Sequence, residues 1–195
     1  MHRVAYVIGN GKSRQNFDLN KLIDRGTIYA CNAIYRDFIP NKLIAVDPKM
    51  IHEIVNYRIQ FETEVWTNYN KAYEKYVGLH YFDPTKGWSS GPTALYKACT
   101  DGMQTIYILG FDFVGLNGGK KVNNIYAGTP NYKGAHEPAT YYGNWLRQTE
   151  TIVREHCDTQ FIRVITKDDY HPNNLNHFKN YKTISYKELI KQFDK

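Results

Sequence analysis

Ser90-Gly91-Pro92-Thr93-Ala94-Leu95-Tyr96-Lys97-Ala98-Cys99-Thr100-Asp101-Gly102-Met103-Gln104-Thr105-Ile106-Tyr107-Ile108-Leu109-Gly110 is the stretch that decides the fold. Its first part reads as a helix over Ser90 to Asp101. Ser89 or Ser90 can cap it, Pro92 suits its first turn and Gly102 suits a left-handed stop. Leu95, Ala98 and Cys99 fall on one face. The second part, Gln104 to Leu109, is a strand whose residues Ile106 to Leu109 are apolar without interruption. A helix feeding such a strand is what a parallel sheet covered on both faces requires.

The same alternation extends in both directions. Arg3 to Ile8, Thr27 to Cys31, Lys42 to Val46, Glu64 to Thr67 and Leu79 to Phe82 read as strands upstream, and Phe161 to Ile165 as the last strand. Helices are predicted at Leu19–Ile23, Met50–Tyr57, Lys71–Tyr76, about Ala139–His156 and Leu189–Phe193. Alternating strands and helices give an α/β fold with a mainly parallel central sheet. Such sheets bind ligands beyond the carboxyl ends of their strands. The polar, Asn-rich tail from Asp168 to Lys182 reads as irregular coil packed over the domain. The organisation is therefore a domain over 1–168, a lid insertion at about 113–136, and a C-terminal extension over 169–195.

Composition excludes several classes. The chain has 195 residues, 42% of them hydrophobic, enough for a core and against disorder. No apolar run is long enough for a membrane span, and the N-terminus lacks the apolar region of a signal peptide. Cys31, Cys99 and Cys157 are widely spaced and odd in number, which points to a reducing cytoplasm and to neither a disulfide framework nor a zinc site. The formal charge of +6 favours an anionic partner. Seventeen tyrosines supply rings with polar tips.

Six constellations carry chemistry. Gly9-Asn10-Gly11-Lys12-Ser13 follows the first strand, where glycines permit close approach of backbone N–H groups to a phosphate; an ordinary strand-to-helix turn is the alternative. A P-loop is excluded because position 6 is Tyr6. Asn32 ends the second strand and suits a ribose hydroxyl or a base edge, or caps a helix. Asp47 leaves the third strand as a hydrogen-bond acceptor or a turn residue. Ser89-Ser90-Gly91 offers two hydroxyls and a Gly at a helix N-terminus, an anion site, or simple capping that uses one serine. Asp112 leaves the strongest strand toward the expected crevice, or ties loops together. Phe113 to His136 contains no acidic residue but has Lys120, Lys121, Lys133 and His136, which reads as a basic lid over a phosphate-bearing substrate or as a flexible basic loop without function. Tyr126 and Tyr132, with Tyr141 and Tyr142 just beyond, would surround that ligand. His136 stands at the predicted start of the long helix, where a helix N-terminus favours the neutral imidazole that accepts a proton; a structural or simply exposed histidine is the alternative.

Taken in order, Gly9-Asn10-Gly11-x-Ser13, Cys31-Asn32, Asp47-Pro48, Ser89-Ser90-Gly91, Gly110-x-Asp112-Phe113, Tyr126-Ala127 and His136 resemble the pattern of bacterial sialyltransferases of glycosyltransferase family 42. The core also resembles the wider group that includes archaeal hydroxymethyl-dihydropterin pyrophosphokinases (domain of unknown function 115). The resemblance covers roughly residues 3–165. It implies a Rossmann-like domain, helices on both faces of the sheet, a CMP-sugar donor, a small-molecule or glycan acceptor and no required metal. It implies donor contacts at Asn10, Asn32, Ser89, Ser90 and Gly91, to which the constellations above add Gly9, Gly11, Ser13, Asp47 and Asp112 as candidate nucleotide contacts. Tyr126 is then the lid tyrosine at the donor phosphate, and His136 the general base. Asp47 stands where the family has Asn, Gly87 where it has Arg, and Val114 where it has a second Tyr, which weakens sialic acid as the sugar.

Two other readings stand beside it. One is Mg-dependent diphosphate transfer from ATP, with Asp47 and Asp112 as metal carboxylates. The other is non-enzymatic nucleic-acid binding, which the charge allows but no stacking motif favours.

Overall fold

The computed structural model describes residues 2–193. Eight parallel strands form one sheet in the order β5-β4-β3-β2-β1-β6-β7-β8. They are β1 (Val4–Ile8), β2 (Thr27–Cys31), β3 (Lys42–Ile44), β4 (Glu64–Asn68), β5 (Leu79–Phe82), β6 (Thr105–Leu109), β7 (Gln160–Ile165) and β8 (Tyr181–Ser185). The helices are α1 (Pro48–Asn56), α2 (Ser90–Thr100), the single turns α3 (Leu116–Gly119) and α5 (Asn173–Asn176), α4 (Gly143–Glu155) and α6 (Tyr186–Phe193).

Each central strand is buried on both faces, which explains its unbroken apolar run. Tyr6 and Ile8 of β1 enter one core with Ile28, Leu43, Ile51, Ile54 and Leu189. Ala5 and Val7 enter the other with Tyr29, Leu95, Ala98, Ile106, Ile152 and Val153. The strand tyrosines are thus core residues: Tyr29 is fully buried, and Tyr6 stacks on Tyr107 at 5.3 Å between ring centroids.

β1 pairs with β2 on one side and β6 on the other, so the chain fills the sheet outward from β1 in both directions. The β1/β6 seam is therefore the point where strand order reverses, and open α/β sheets bind ligands there.

Three expectations are corrected. The tail is not all coil, because Tyr181–Ser185 pairs with β7 as the edge strand β8. Its mixed Tyr-Lys-Thr-Ile-Ser sequence lacks the apolar continuity of an interior strand, since an edge strand is only half covered. The long helix begins at Gly143, not near Ala139, so His136 lies in a turn seven residues ahead of it. Leu19–Leu22 and Lys71–Tyr73 are single 3-10 turns rather than helices.

Candidate functional site

Two glycines make the seam possible. Gly110, at φ +68°, lies against the backbone of Gly9, and a Cβ on either would sit 2.6 Å from the other's carbonyl oxygen. The loops leaving β1 and β6 cross there, and the Gly11 N–H donates to the Gly110 carbonyl at 3.0 Å. The Asp112 carboxylate accepts from the Ser13 backbone N–H at 3.1 Å and from the Ser13 hydroxyl. The Lys12 N–H is taken by Asn123 Oδ1 at 3.0 Å. These glycines thus serve the crossing of two loops, and the N–H groups of Gly9, Gly11, Lys12 and Ser13 are already engaged. Burial pushes the Asp112 carboxyl upward, opposed by the bonds from Ser13.

Above the seam lies a cavity of about 250 Å³. Its sheet side is formed by Asn10, Gly11, Asn32, Gly110 and Asp112, and its lid side includes Asn123, Asn124, Asn131, Tyr132 and Lys133. Tyr141, Tyr142 and Trp145 close it from the start of α4.

Asn10 is 3% exposed and fully engaged: its Nδ2 donates to the Cys31 carbonyl at 3.0 Å, and its Oδ1 accepts from Arg14 Nη2 at 3.1 Å. Asn32 differs. Its backbone is left-handed, φ 56°, a conformation that Asn adopts more readily than most residues. Its Oδ1 is buried without a hydrogen-bond partner among the described residues. An unpaired buried acceptor beside a cavity is a place for a ligand donor.

Arg14 lies under Asn10 at 5% exposure. It donates to the Gly9 carbonyl at 2.6 Å and stands 3.5 Å from the Tyr126 hydroxyl. None of the ion pairs among the described residues includes it. A buried guanidinium with only neutral partners leaves positive charge under the cavity floor, and Lys133 adds a second cation at the lining.

The lid is an ordered loop. Its root turns at Phe113, whose φ is 59° and whose ring lies 5.0 Å from the Arg163 guanidinium carbon. Asn123 Nδ2 bonds the Val114 carbonyl at 3.0 Å, and the Asn123 N–H donates to the Tyr142 hydroxyl at 3.1 Å. The Ile125 N–H donates to the Asn10 carbonyl at 2.8 Å. Tyr132 is held by the Ala33 N–H at 3.3 Å and Asn10 Nδ2 at 3.5 Å, and burial raises its phenol pKa.

Four of the residues expected to bind a nucleotide meet at this cavity: Asn10, Gly11, Asn32 and Asp112. Others lie outside its lining. Gly9 and Ser13 are part of the crossing beneath it. Ser90 Oγ accepts from the Val46 N–H at 3.1 Å, and the Ser89 N–H donates to Gln148 Oε1 at 3.1 Å. Gly91 packs against the indole of Trp145, and the indole, not the serines, faces the cavity. Asp47 caps α1 through the Lys49 N–H at 2.8 Å, as its turn reading anticipated. Tyr126 is 4% exposed, in the core beside Arg14. His136 is exposed on the lid, without a hydrogen bond to any described residue.

Asn123, Asn124, Asn131, Thr140 and Trp145 were not singled out as site residues by sequence. The Asn-rich, acid-free composition of the segment was the available signal for the asparagines. Trp145 had none, because its helical spacing reads equally as core. Among the described residues no group of three or more His, Cys, Asp or Glu is arranged to hold a metal ion, and no helix is long and apolar enough to cross a membrane.

The fold is similar to that of the sialyltransferase CstII from Campylobacter jejuni, solved in complex with a substrate analogue, CMP-3FNeuAc. The TM-score is 0.53 at 17% identity, over 100% of this chain and 99% of that one. No protein-family model and no curated protein matches the sequence. At this identity the likeness is one of fold: a Rossmann-like α/β domain with a wholly parallel sheet.

Proposed function

We propose that this chain is a glycosyltransferase that binds a nucleotide-activated sugar, a CMP-sugar foremost, in the cavity above the β1/β6 seam. The observation that carries the reading is Asn32. It holds an unpaired, buried carbonyl oxygen at the edge of a cavity at the strand-order reversal. A ribose hydroxyl or the exocyclic amine of a base would satisfy that oxygen. Arg14 beneath, in no ion pair among the described residues, and Lys133 beside the cavity suit the donor's phosphate, with Asp112 the one acidic side chain of the described lining. The fold shared with a CMP-sugar-binding transferase and the ordered motifs of the sequence support the same assignment.

In this reading an acceptor hydroxyl oxygen attacks the anomeric carbon, and the bond from that carbon to the phosphate oxygen breaks. The nucleotide leaves with the electron pair. The hydroxyl proton passes to His136, exposed on the lid outside the cavity lining, in the general-base role that the family resemblance implies.

The test is calorimetric titration with CMP, UMP, AMP, GMP and ATP, each with and without Mg²⁺. Magnesium-independent binding of CMP is expected, retained in His136→Ala while turnover is lost. Failure of every nucleotide to bind refutes the proposal. Binding of ATP that depends on Mg²⁺ replaces it with diphosphate transfer.

A further inference from the structure

The tip of the lid is tied down by one carboxylate on the far side from the cavity. Glu53 projects from α1 and is the acceptor for three donors: the Tyr35 hydroxyl, Arg36 through Nε at 2.8 Å and Nη2 at 2.5 Å, and Asn131 Nδ2. Arg36 in turn reaches the lid, donating from Nη1 to Thr129 Oγ1 at 2.7 Å and from Nη2 to the Pro130 carbonyl at 3.0 Å. Its guanidinium carbon lies 5.9 Å from the ring centroids of both Tyr126 and Tyr132. Burial alone would raise the Glu53 carboxyl, but the bonds from Tyr35, Arg36 and Asn131 outweigh it and hold the carboxyl below its ordinary value.

The tethered residues are continuous with the cavity wall. Asn131 binds Glu53 and also lines the cavity, and Tyr132 and Lys133 follow it there. The segment has two left-handed joints, Gly128 at φ 80° and Asn131 at φ 66°, and a Cβ on Gly128 would meet nothing within 4 Å. No neighbour packs at Gly128, Tyr132 anchors the inner end of the segment against Tyr126, Ala33 and Asn10, and the polar clamp restrains its tip.

We infer that Glu53 and Arg36 are positioning residues that latch Thr129–Asn131, and so hold Asn131, Tyr132 and Lys133 over the ligand cavity. The closed lid leaves about 250 Å³, below the ~300–1,000 Å³ usual for small-molecule sites. A nucleotide-sized ligand needs more room than this, lifting of the tip supplies it, and this clamp restrains that movement beside the Tyr132 bonds to Ala33 and Asn10. The inference rests on the reading of that cavity as the ligand site.

Amide hydrogen exchange tests it in the free protein. The N–H groups of Gly128, Thr129 and Tyr132 are hydrogen-bonded within the tip, to Lys133, Tyr126 and Thr129 respectively. In Glu53→Ala, and separately in Arg36→Ala, their exchange should accelerate by about tenfold or more, since a hydrogen bond to a charged group commonly contributes at least that factor. The Ile125 amide, bonded to the Asn10 carbonyl, and the β1 and β6 amides should be unchanged. Arg36→Lys should not rescue the tip, because one ammonium cannot reproduce the planar fork across Glu53, Thr129 and Pro130. CMP should dissociate faster from Glu53→Ala than from the wild type by a similar factor. Unchanged tip exchange, acceleration shared equally with the sheet, or an unaltered CMP dissociation rate would each overturn the latch. If CMP does not bind the wild-type protein, the nucleotide reading fails, while the exchange measurement still decides the latch.

Discussion

Gly91→Ala is the substitution that joins the fold to the site most directly. Gly91 is the second residue of α2 and is not among the residues of positive φ, so alanine is acceptable to the backbone. Alone, the change would favour the helix by up to about 1 kcal/mol. The obstacle is the six-membered ring of Trp145. A Cβ would lie 2.5 Å from its Cη2 and Cζ3, about 0.9 Å short of ordinary contact. Trp145 cannot recede freely, because its other neighbours include the fully buried Phe111, at 5.3 Å between ring centroids. Overpacking of this kind costs about 1–3 kcal/mol, so the net loss should be roughly 1–2 kcal/mol. In a domain of this size that lowers Tm by about 3–6 °C. Because Trp145 lines the cavity, its displacement should also weaken nucleotide binding by roughly tenfold, a change of about 1.4 kcal/mol. Thermal unfolding and calorimetric titration measure the two effects. Trp145→Phe in the same chain should remove most of the penalty, as a coupling energy in a double-mutant cycle. A Gly91→Ala protein with wild-type Tm and wild-type nucleotide affinity would refute the packing argument.

Three further outcomes follow from the same structure. Asn32→Gly keeps the left-handed backbone but removes the unpaired oxygen, so Tm should move by less than about 3 °C while nucleotide affinity falls roughly tenfold; an affinity equal to wild type would remove Asn32 from the site. Asp101 accepts from Lys97 Nζ at 2.5 Å and the Tyr29 hydroxyl at 2.8 Å, and pairs with Lys42 at 3.0 Å. Asp101→Asn should cost about 2 kcal/mol, discounted from the fully buried case because this carboxylate is partly exposed. Burial alone would raise the Asp101 carboxyl, but those bonds hold it below its ordinary 3.8. Its contribution is therefore full above about pH 4 and lost as pH falls through the lower folded value. Chemical denaturation between pH 2 and 6 should show a flatter profile in the variant, and parallel profiles would contradict the assignment. Thiol labelling should modify exposed Cys157 in the native protein and leave buried Cys31 and Cys99, both pushed up to about 12 by burial, until unfolding; equal labelling of all three under native conditions would contradict the core.

Local sequence carried the parallel sheet because the interior strands are covered on both faces and must be apolar throughout. β8 escaped detection for the complementary reason: an edge strand is only partly covered, and Lys182, Thr183 and Ser185 stand exposed or half-buried in its run. The displaced start of α4 follows from the lid. Pro138 bridges Lys121, the Ala139 N–H donates to the Lys120 carbonyl, and Thr140 to Tyr142 line the cavity, contacts that compete with helix formation there.

The sequence by itself determined that this is an α/β chain with a basic, tyrosine-rich segment near the carboxyl ends of its strands. Those features depend on spacing and composition, which local chemistry reads directly. The tertiary structure decided which residues meet. It committed the Gly9–Gly11 and Asp112 loops to each other, buried Tyr126 with Arg14, placed Trp145 between Gly91 and the cavity, and left one oxygen of Asn32 unpaired. A hydroxyl, amide or carboxylate has the same identity in the sequence whether its hydrogen bonds are spent inside the protein or kept for a ligand. Only the packed positions of distant segments settle which of the two it is.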